Sequence, residues 1–168
     1  MKIKSERSKK SIYAFIDSQN LNLGVRSQGW KLDFGRFRVY LKDKYKVKKA
    51  FLFIGFIPKN KRLYEYLKRS DYKLIFKPVL ESKLPTIKTK GNVDADLVLH
   101  TMIEFPRYNK AIIVSGDGDF YCLAEYLVMK HKLEKIIVPN KKYSSLLRKF
   151  SNFIVNIDLM KNKLKKRK

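Results

Sequence analysis

The stretch AIIVSGDGD at residues 111–119 decides the fold, because it joins an apolar run to a small, acidic turn. A second apolar run, IYAFID at residues 12–17, also stops at an aspartate. Short apolar runs of this kind are typical of buried strands in a parallel α/β sheet. Such sheets bind ligands beyond the carboxyl ends of their strands, where the strand order reverses. The sequence therefore predicts that Asp17, Asp117 and Asp119 lie together at one edge of a sheet.

Apolar runs alternate with helical patterns along the chain, which predicts an α/β fold with a parallel sheet. Because crossover connections are right-handed, we expect the first and fourth strands to be neighbours. The predicted strands span residues 12–17, 47–57, 72–79, 110–115, 135–138 and 153–155. The predicted helices span residues 21–26, 34–45, 61–69, 92–105, 120–131 and 144–150.

The charge of the chain is strongly one-sided, with 39 Lys and Arg against 15 Asp and Glu and a net charge of +24. Residues 1–10 form a basic arm, and residues 161–168, KNKLKKRK, form a basic tail that we expect to be frayed. The single domain between them, residues 11–160, still carries a net charge of +14. A basic body favours polyanions, nucleic acid before anionic membrane. The candidate nucleic-acid contacts are Lys90, Lys163, Lys165, Lys166 and Arg167.

The sequence points to a cytoplasmic protein that is not associated with a membrane. No apolar run approaches the ~18 residues of a membrane span, and no apolar signal core follows the basic start. A single cysteine, Cys122, excludes an intramolecular disulfide. It falls in a predicted helix, where a small buried residue is expected. The sequence leaves open whether the protein is a homodimer.

A third acidic segment, NVDAD at residues 92–96, is predicted to begin the helix that leads into the fourth strand. Asn92 suits the helix cap, and two aspartates suit the first turn. This helix follows the third strand, so it starts at the same edge of the sheet as the strand-end aspartates. Asp96 lies about 200° around the helix from Asp94 and is therefore expected to point away from it.

Four or five carboxylates in one crevice repel one another, and burial strengthens that repulsion. A divalent cation relieves it, and Mg²⁺ or Mn²⁺ is indicated because both prefer oxygen ligands. Such an ion polarises a phosphate and activates water, which is the chemistry of phosphodiester hydrolysis. Asn20 is either a helix cap or a contact to water or phosphate. Ser115 is expected to orient a ligand water, and Lys90 is either a phosphate contact or a solvated lysine.

Three motifs resemble those of the NYN-domain family, in the LabA-like branch of the PIN-like nucleases. They are IDSQNL at 16–21, KGNVDADLVLH at 90–100 and SGDGDF at 115–120, and the strand IIVP at 136–139 follows. The resemblance implies a Rossmann-like, PIN-like three-layer sandwich with a mainly parallel central sheet. It also implies a Mg²⁺- or Mn²⁺-dependent endoribonuclease that acts on single-stranded or structured RNA. The catalytic and metal-binding roles that it implies belong to Asp17, Asp94, Asp117 and Asp119. It implies supporting roles for Asn20 and Ser115. Asp96 and His100 are further candidates for a supporting role.

The chain departs from the resemblance at one position, because members of this branch often have an acid where the chain has His100. We consider His100 as a Mn²⁺ ligand, a general base or a plain surface residue. An RNA-binding module that retains the fold without strong catalysis is therefore the main alternative. A Mn²⁺-dependent glycosyltransferase with a DGD motif has less support, because it does not need a charge of +24. A phosphatase with Asp17 as nucleophile usually has a second acid two residues later, where this chain has Gln19.

Overall fold

A six-stranded sheet in which every strand is parallel to its neighbours forms the centre of the described part of the chain. A computed structural model describes residues 10–77 and 93–167. The strands are β1 (Ile12–Asp17), β2 (Val47–Gly55), β3 (Tyr72–Lys77), β4 (Lys110–Val114), β5 (Leu133–Val138) and β6 (Ile154–Asn156). Their order in the sheet is β3–β2–β1–β4–β5–β6. The predicted neighbours β1 and β4 therefore pair, and a parallel α/β sheet is confirmed.

Helices follow most of the strands, as the apolar pattern predicts. They are α1 (Ser18–Arg26), α2 (Phe34–Tyr45), α3 (Lys61–Arg69), α4 (Val93–Ile103), α5 (Tyr121–Met129) and α6 (Lys161–Leu164). The bounds of α2 and α3 agree with the prediction. Asp33 begins α2 as a cap, because its side chain accepts a hydrogen bond from the N–H of Arg36 at 3.0 Å.

The sheet is buried on both faces, which gives the predicted three-layer sandwich. Alternate residues of β1 enter different cores, since Ile16 belongs to one apolar cluster and Phe15 to the other. The first cluster includes Leu21, Phe37 and Leu67, from α1, α2 and α3. The second includes Leu97 and Leu123, from α4 and α5.

The strand order reverses beside β1. From β1 the chain moves one way to β2 and β3, and it then crosses back to β4 on the other side. A crevice opens at the carboxyl edge of such a sheet, where the two sets of connections diverge. The candidate aspartates after β1 and β4 therefore lie at the point that the fold leaves open for a ligand.

Several predicted elements differ from the structure at their ends. Strand β2 stops at Gly55, and α4 stops at Ile103. The segment after Asp117 begins with a 3₁₀ turn, Gly118–Phe120, before α5. The predicted helix 144–150 is instead a 3₁₀ run, Ser145–Phe153, with a kink at Phe150. The predicted end of the third strand at residues 78–79 lies outside the described residues, and so do Asn92 and most of the arm 1–10.

The prediction that the chain is frayed after Met160 is wrong for residues 161–167. Leu164 is only 1% exposed and joins the core beside α2. Its carbonyl accepts a hydrogen bond from the N–H of Asp33 at 2.9 Å, and the N–H of Lys166 donates to the carbonyl of Lys31 at 2.8 Å. In a segment of mostly basic residues, the one apolar residue Leu164 packs against the core. The same segment pairs with the chain before α2 through an isolated antiparallel bridge between Leu32 and Lys165.

Cys122 is exposed on α5, so its predicted burial is wrong. It lies on the solvent side of the helix, whereas Leu123 and Ala124 face the core. The described residues contain no helix with both the length and the apolar character that a bilayer crossing requires.

Candidate metal centre

Asp17 ends β1 and caps α1. Its carboxyl, in a residue only 5% exposed, accepts a hydrogen bond from the N–H of Asn20 at 3.1 Å. Burial raises the pKa of Asp17 and the charge of Asp117 raises it further, whereas the N–H groups of the helix start lower it. Asp17 thus caps α1 and lies at the edge of the sheet at the same time.

The loop after β4 is fastened to the start of α1 and to itself. The N–H of Gly116 donates to Oδ1 of Asn20 at 2.8 Å, which ties the two strand ends together. The N–H of Asp117 donates to Oγ of Ser115 at 3.2 Å. The side chains of Asn20 and Ser115 therefore accept hydrogen bonds from the backbone of the loop after β4. Ser115, which was expected to orient a water, is only 1% exposed.

The glycine between the two aspartates of SGDGD is needed for close packing. A Cβ at Gly118 would collide with the side chain of Ser144. Ser144 is itself held to this loop, because its N–H donates to the carbonyl of Gly116 at 2.9 Å. The loop therefore packs between α1 and the segment after β5. These contacts hold the backbone on either side of Asp117 in place.

Three carboxylates meet beside this loop. Ligand oxygens of Asp94, Asp117 and Asp119 all lie within 4.8 Å of one another. Asp94 comes from the first turn of α4, and the other two follow β4. Oδ1 of Asp117 also accepts a hydrogen bond from the N–H of Asp119 at 2.9 Å, which orients the carboxylate. We call these three residues and Asp17 the carboxylate crevice.

The crevice is electrostatically unfavourable without a cation. Burial raises the pKa of Asp94 to about 6, and the charges of its neighbours contribute to this rise. These neighbours are Asp117, Asp17 and Asp119. All the donors in the crevice are carboxylate oxygens, the ligands that Mg²⁺ and Mn²⁺ prefer. The residues therefore fit a hard divalent cation.

Lys77 is a charged residue of this site that the sequence analysis missed. It is the last residue of β3, and its Nζ is closed to solvent without a hydrogen-bond partner among the described residues. Burial lowers the pKa of Lys77, and three carboxylates act in the opposite direction: Asp96, Asp94 and Asp17. Its position at a strand end was the available signal, but a lysine is an unremarkable residue in a chain with so many.

Comparison with known proteins agrees with this geometry. The model of the NYN domain matches residues 11–159. The chain belongs to the NYN domain family. The NYN domain is part of the PIN-like nuclease superfamily, whose members usually require divalent metal ions.

The fold of this NYN domain is also found in a solved structure. That structure is a protein of unknown function from Vibrio parahaemolyticus, which is 23% identical and has a TM-score of 0.76. The similarity covers 99% of this chain and 100% of the other. No curated protein matches the chain in sequence. The similarity at this level of identity establishes the three-layer fold.

Asp96 and His100 take different places in α4 of the NYN domain. Asp96 is half-buried and lies in the group of acids that act on Lys77, so the expectation that it points away is only partly right. The ring of His100 lies edge-on to Phe53, with 5.5 Å between the ring centroids. His100 is also half-buried, and within the described residues the group of potential metal ligands does not include it.

The four predicted nucleic-acid contacts at the end of the NYN domain are exposed, but they belong to a folded segment. Lys166 lines a cavity of about 460 Å³ together with Arg26 and Lys31. Asn22 of α1, five residues after Asp17 in the chain, also lines that cavity. Lys163 does not line this cavity, and its carbonyl accepts a hydrogen bond from the side chain of Arg36 in α2 at 3.4 Å. The remaining candidate, Lys90, lies outside the described residues.

Proposed function

We propose that this NYN domain is a divalent-metal-dependent endoribonuclease that hydrolyses RNA phosphodiester bonds at the carboxylate crevice. The observation that carries the proposal is the approach of Asp94, Asp117 and Asp119 to within 4.8 Å at the edge where the strand order reverses. The motifs IDSQNL and SGDGDF support a place in the LabA-like branch of the family.

A metal ion in the crevice would be held by Asp94, Asp117 and Asp119, with Asp17 beside them. When bound, Mg²⁺ or Mn²⁺ polarises the phosphate and lowers the pKa of a water molecule. The raised pKa values of Asp17 and Asp94 support this assignment, because a cation relieves the repulsion that raises them. Both ions accept such a ligand set, so the proposal includes either of them.

The surrounding residues hold the crevice in place before substrate arrives. Asn20 joins the ends of β1 and β4, and Ser115 fixes the backbone of Asp117. Such pre-organised ligands need little rearrangement during the reaction, which favours catalysis. The positive charge of Lys77 lies in the field of Asp17 and Asp94, so it favours a phosphate group that enters between the acids.

RNA is the proposed substrate because the domain offers cations on a broad surface around a small acidic crevice. Residues 11–160 carry a net charge of +14, and the docked C-terminal segment adds further lysines. The cavity with Arg26, Lys31 and Lys166 is suited to phosphate groups of a strand that passes the crevice. The proposed nucleic-acid contacts Lys163, Lys165 and Arg167 also belong to the docked C-terminal segment.

A cleavage assay with labelled single-stranded and double-stranded RNA and DNA tests the proposal. Each substrate is incubated with Mg²⁺, Mn²⁺ or EDTA and with wild type, Asp17→Asn or Glu125→Gln. We expect RNA loss that requires metal and is abolished by Asp17→Asn, because the amide still caps α1 but contributes no charge. Glu125→Gln is the matched control, since it removes a carboxylate outside the crevice.

The same assay identifies the alternative. Tight RNA binding without cleavage under any metal condition would favour the RNA-binding module and overturn the proposed activity. His100→Asp is then the variant to assay, because it restores the acid that related sequences often have at that position. Cleavage that persists in EDTA or in Asp17→Asn would show that the crevice is not responsible.

A further inference from the structure

Three aromatic side chains form a cluster at the β2–β3 end of the sheet, and we call it the aromatic platform. The rings of Phe56 and Tyr64 are nearly parallel, at 22°, with centroids 5.9 Å apart. Phe76 meets both edge-on, with centroids 5.5 Å from Phe56 and 4.8 Å from Tyr64. Phe56 follows β2, Phe76 belongs to β3, and Tyr64 comes from α3.

The platform is rigidly supported from below. The buried Tyr64 holds the chain on either side of Phe56, because its hydroxyl accepts from the N–H of Ile57 at 2.7 Å and donates to the carbonyl of Gly55 at 3.1 Å. The N–H of Phe56 donates to the carbonyl of Lys77 at 3.2 Å and extends the sheet. Phe56 is therefore fixed before any ligand arrives.

Despite this support, two of the rings remain open to solvent. Phe56 is 45% exposed and Phe76 is 37% exposed, and neighbouring Ile57 is 49% exposed. Single exposed apolar residues are common, whereas contiguous exposed apolar groups often mark an interaction site. Three exposed basic residues follow in the 3₁₀ turn and the start of α3: Lys59, Lys61 and Arg62. An aromatic surface beside cations suits a partner with both flat rings and negative charge.

The platform lies beside the carboxylate crevice. Gly55 pairs with Lys77 in the sheet, and Phe53 pairs with Asp17 on the next strand. The β3 edge is two strand spacings from β1, which is about 10 Å. Lys77 follows Phe76 directly on β3 and lies in the field of the crevice acids. Because consecutive side chains of a strand point to opposite faces, a bound strand would cross the carboxyl edge of the sheet between the two features.

We propose that the aromatic platform stacks an unpaired base of single-stranded RNA while its backbone passes Lys77 toward the crevice. This inference rests on the proposed function and adds that the substrate has unpaired bases at this point. Bases stack on aromatic side chains with little regard to sequence, whereas bases in a duplex are not available for stacking. The platform thus selects single strands without reading their sequence.

Binding measured in EDTA tests the inference separately from cleavage. Fluorescent single-stranded RNA and the corresponding duplex are titrated with wild type, Phe56→Ala, Phe76→Ala and Phe56→Trp. We expect each alanine variant to weaken single-strand binding roughly 5- to 150-fold, and Phe56→Trp to retain it. Duplex binding should change less than twofold, and the slope of affinity against salt should stay the same because no phosphate contact is lost.

Met129→Ala is the matched control, because Met129 is 62% exposed but ends α5 at the far side of the sheet. It should bind both RNAs as wild type does. Phe56→Leu keeps the apolar bulk but removes the ring, so it should weaken single-strand binding if stacking is responsible. Circular dichroism of the alanine variants checks that they remain folded. The inference is overturned if Phe56→Ala and Phe76→Ala bind single strands as wild type does, or if duplex binding falls equally. It is also overturned if the variants instead dissociate a dimer, since the platform would then join two copies of the chain.

Discussion

The carboxylate crevice and the Glu125–Lys149 pair give a carboxylate opposite environments. Nζ of Lys149 lies 2.6 Å from Oε1 of Glu125, and this hydrogen bond lowers the pKa of Glu125. In the crevice, burial and neighbouring acids raise the pKa of Asp94 to about 6. Both regions lie in the same domain and near the same helix α5. Glu125 has a lysine within ion-pair distance, whereas Lys77 lies in the field of the crevice acids without forming an ion pair with one of them among the described residues.

This difference shows that the shortage of positive charge is local. Other acids of the domain pair with arginine: Asp33, Asp71 and Glu104. Among the described residues, none of the ion pairs includes an aspartate of the crevice. In a chain with 39 Lys and Arg, such an arrangement follows from the fold, which collects acids from β1, α4 and the loop after β4. This unpaired negative charge is what the proposed metal ion would balance.

The largest effect should come from Asp117→Asn. It retains the size of the side chain but removes a proposed metal ligand, so metal-dependent RNA cleavage should fall about 100-fold or more. RNA binding should persist or tighten, because one negative charge near the phosphate is gone. Initial rates with Mg²⁺ and Mn²⁺ measure the first effect, and titration in EDTA measures the second. Equal loss of rate in Glu125→Gln would remove the distinction between the two regions.

The second effect is stabilisation by metal. An ion at about 100 times its dissociation constant should raise the melting temperature of wild type by roughly 5–10 °C, because it binds only the folded crevice. Glu125→Gln should show the same increase, whereas Asp94→Asn should show a clearly smaller one. Thermal melts with MgCl₂, MnCl₂ and EDTA provide the measurement. The same increase in Asp94→Asn would contradict a role of Asp94 as ligand.

The third effect is a pH dependence of the metal-free protein. Folding raises the pKa of Asp94 from the ordinary value of 3.8 to about 6, so the folded state holds the proton more tightly. This contribution to stability is present below about pH 4 and is lost as the pH rises through 6. In EDTA, Asp94→Asn should therefore melt above wild type at pH 7 by about 2–4 °C, the shift expected from roughly 1 kcal/mol. The gap should close toward pH 4.5, and a constant gap would refute the assignment.

The smallest effect should come from Glu125→Gln, with the opposite pH dependence. The partner Lys149 lowers the pKa of Glu125, so its contribution is present above about pH 4.5 and is lost on acidification. Exposed ion pairs stabilise little, and the melting temperature at pH 7 should fall by no more than about 2 °C. The expected difference from wild type shrinks as the pH falls through the lowered pKa of Glu125. A rise at pH 7 would contradict a stabilising role of this ion pair.

The elements that position the crevice could be predicted from local patterns. The apolar run before Asp17 and the run before Asp117 predict two strand ends, and right-handed crossovers place these strands together. Asp94 follows from the acidic first turn of a helix that begins at the same edge. Short-range signals suffice for these residues because each one lies at the end of its own strand or helix.

Features that depend on contacts between distant parts of the chain could not be predicted in the same way. Leu164 looks like one apolar residue in a basic tail, and only the core beside α2 gives it a partner. Lys77 is one lysine among many until β3 places it by the crevice. The platform joins Phe56 to Phe76 across 20 positions of sequence, and no periodic pattern marks that pairing.

Anomalous diffraction from crystals soaked in Mn²⁺ tests the central claim most directly. We expect a peak bounded by carboxylate oxygens of Asp94, Asp117 and Asp119, at about 2.0–2.4 Å from at least two of them, as the ligand distances of such ions require. The peak should vanish in Asp117→Asn and remain in Glu125→Gln. The account would be contradicted if crystals of wild type soaked in saturating Mn²⁺ showed no peak in the crevice. Peaks only at surface acids such as Glu125 would contradict it as well.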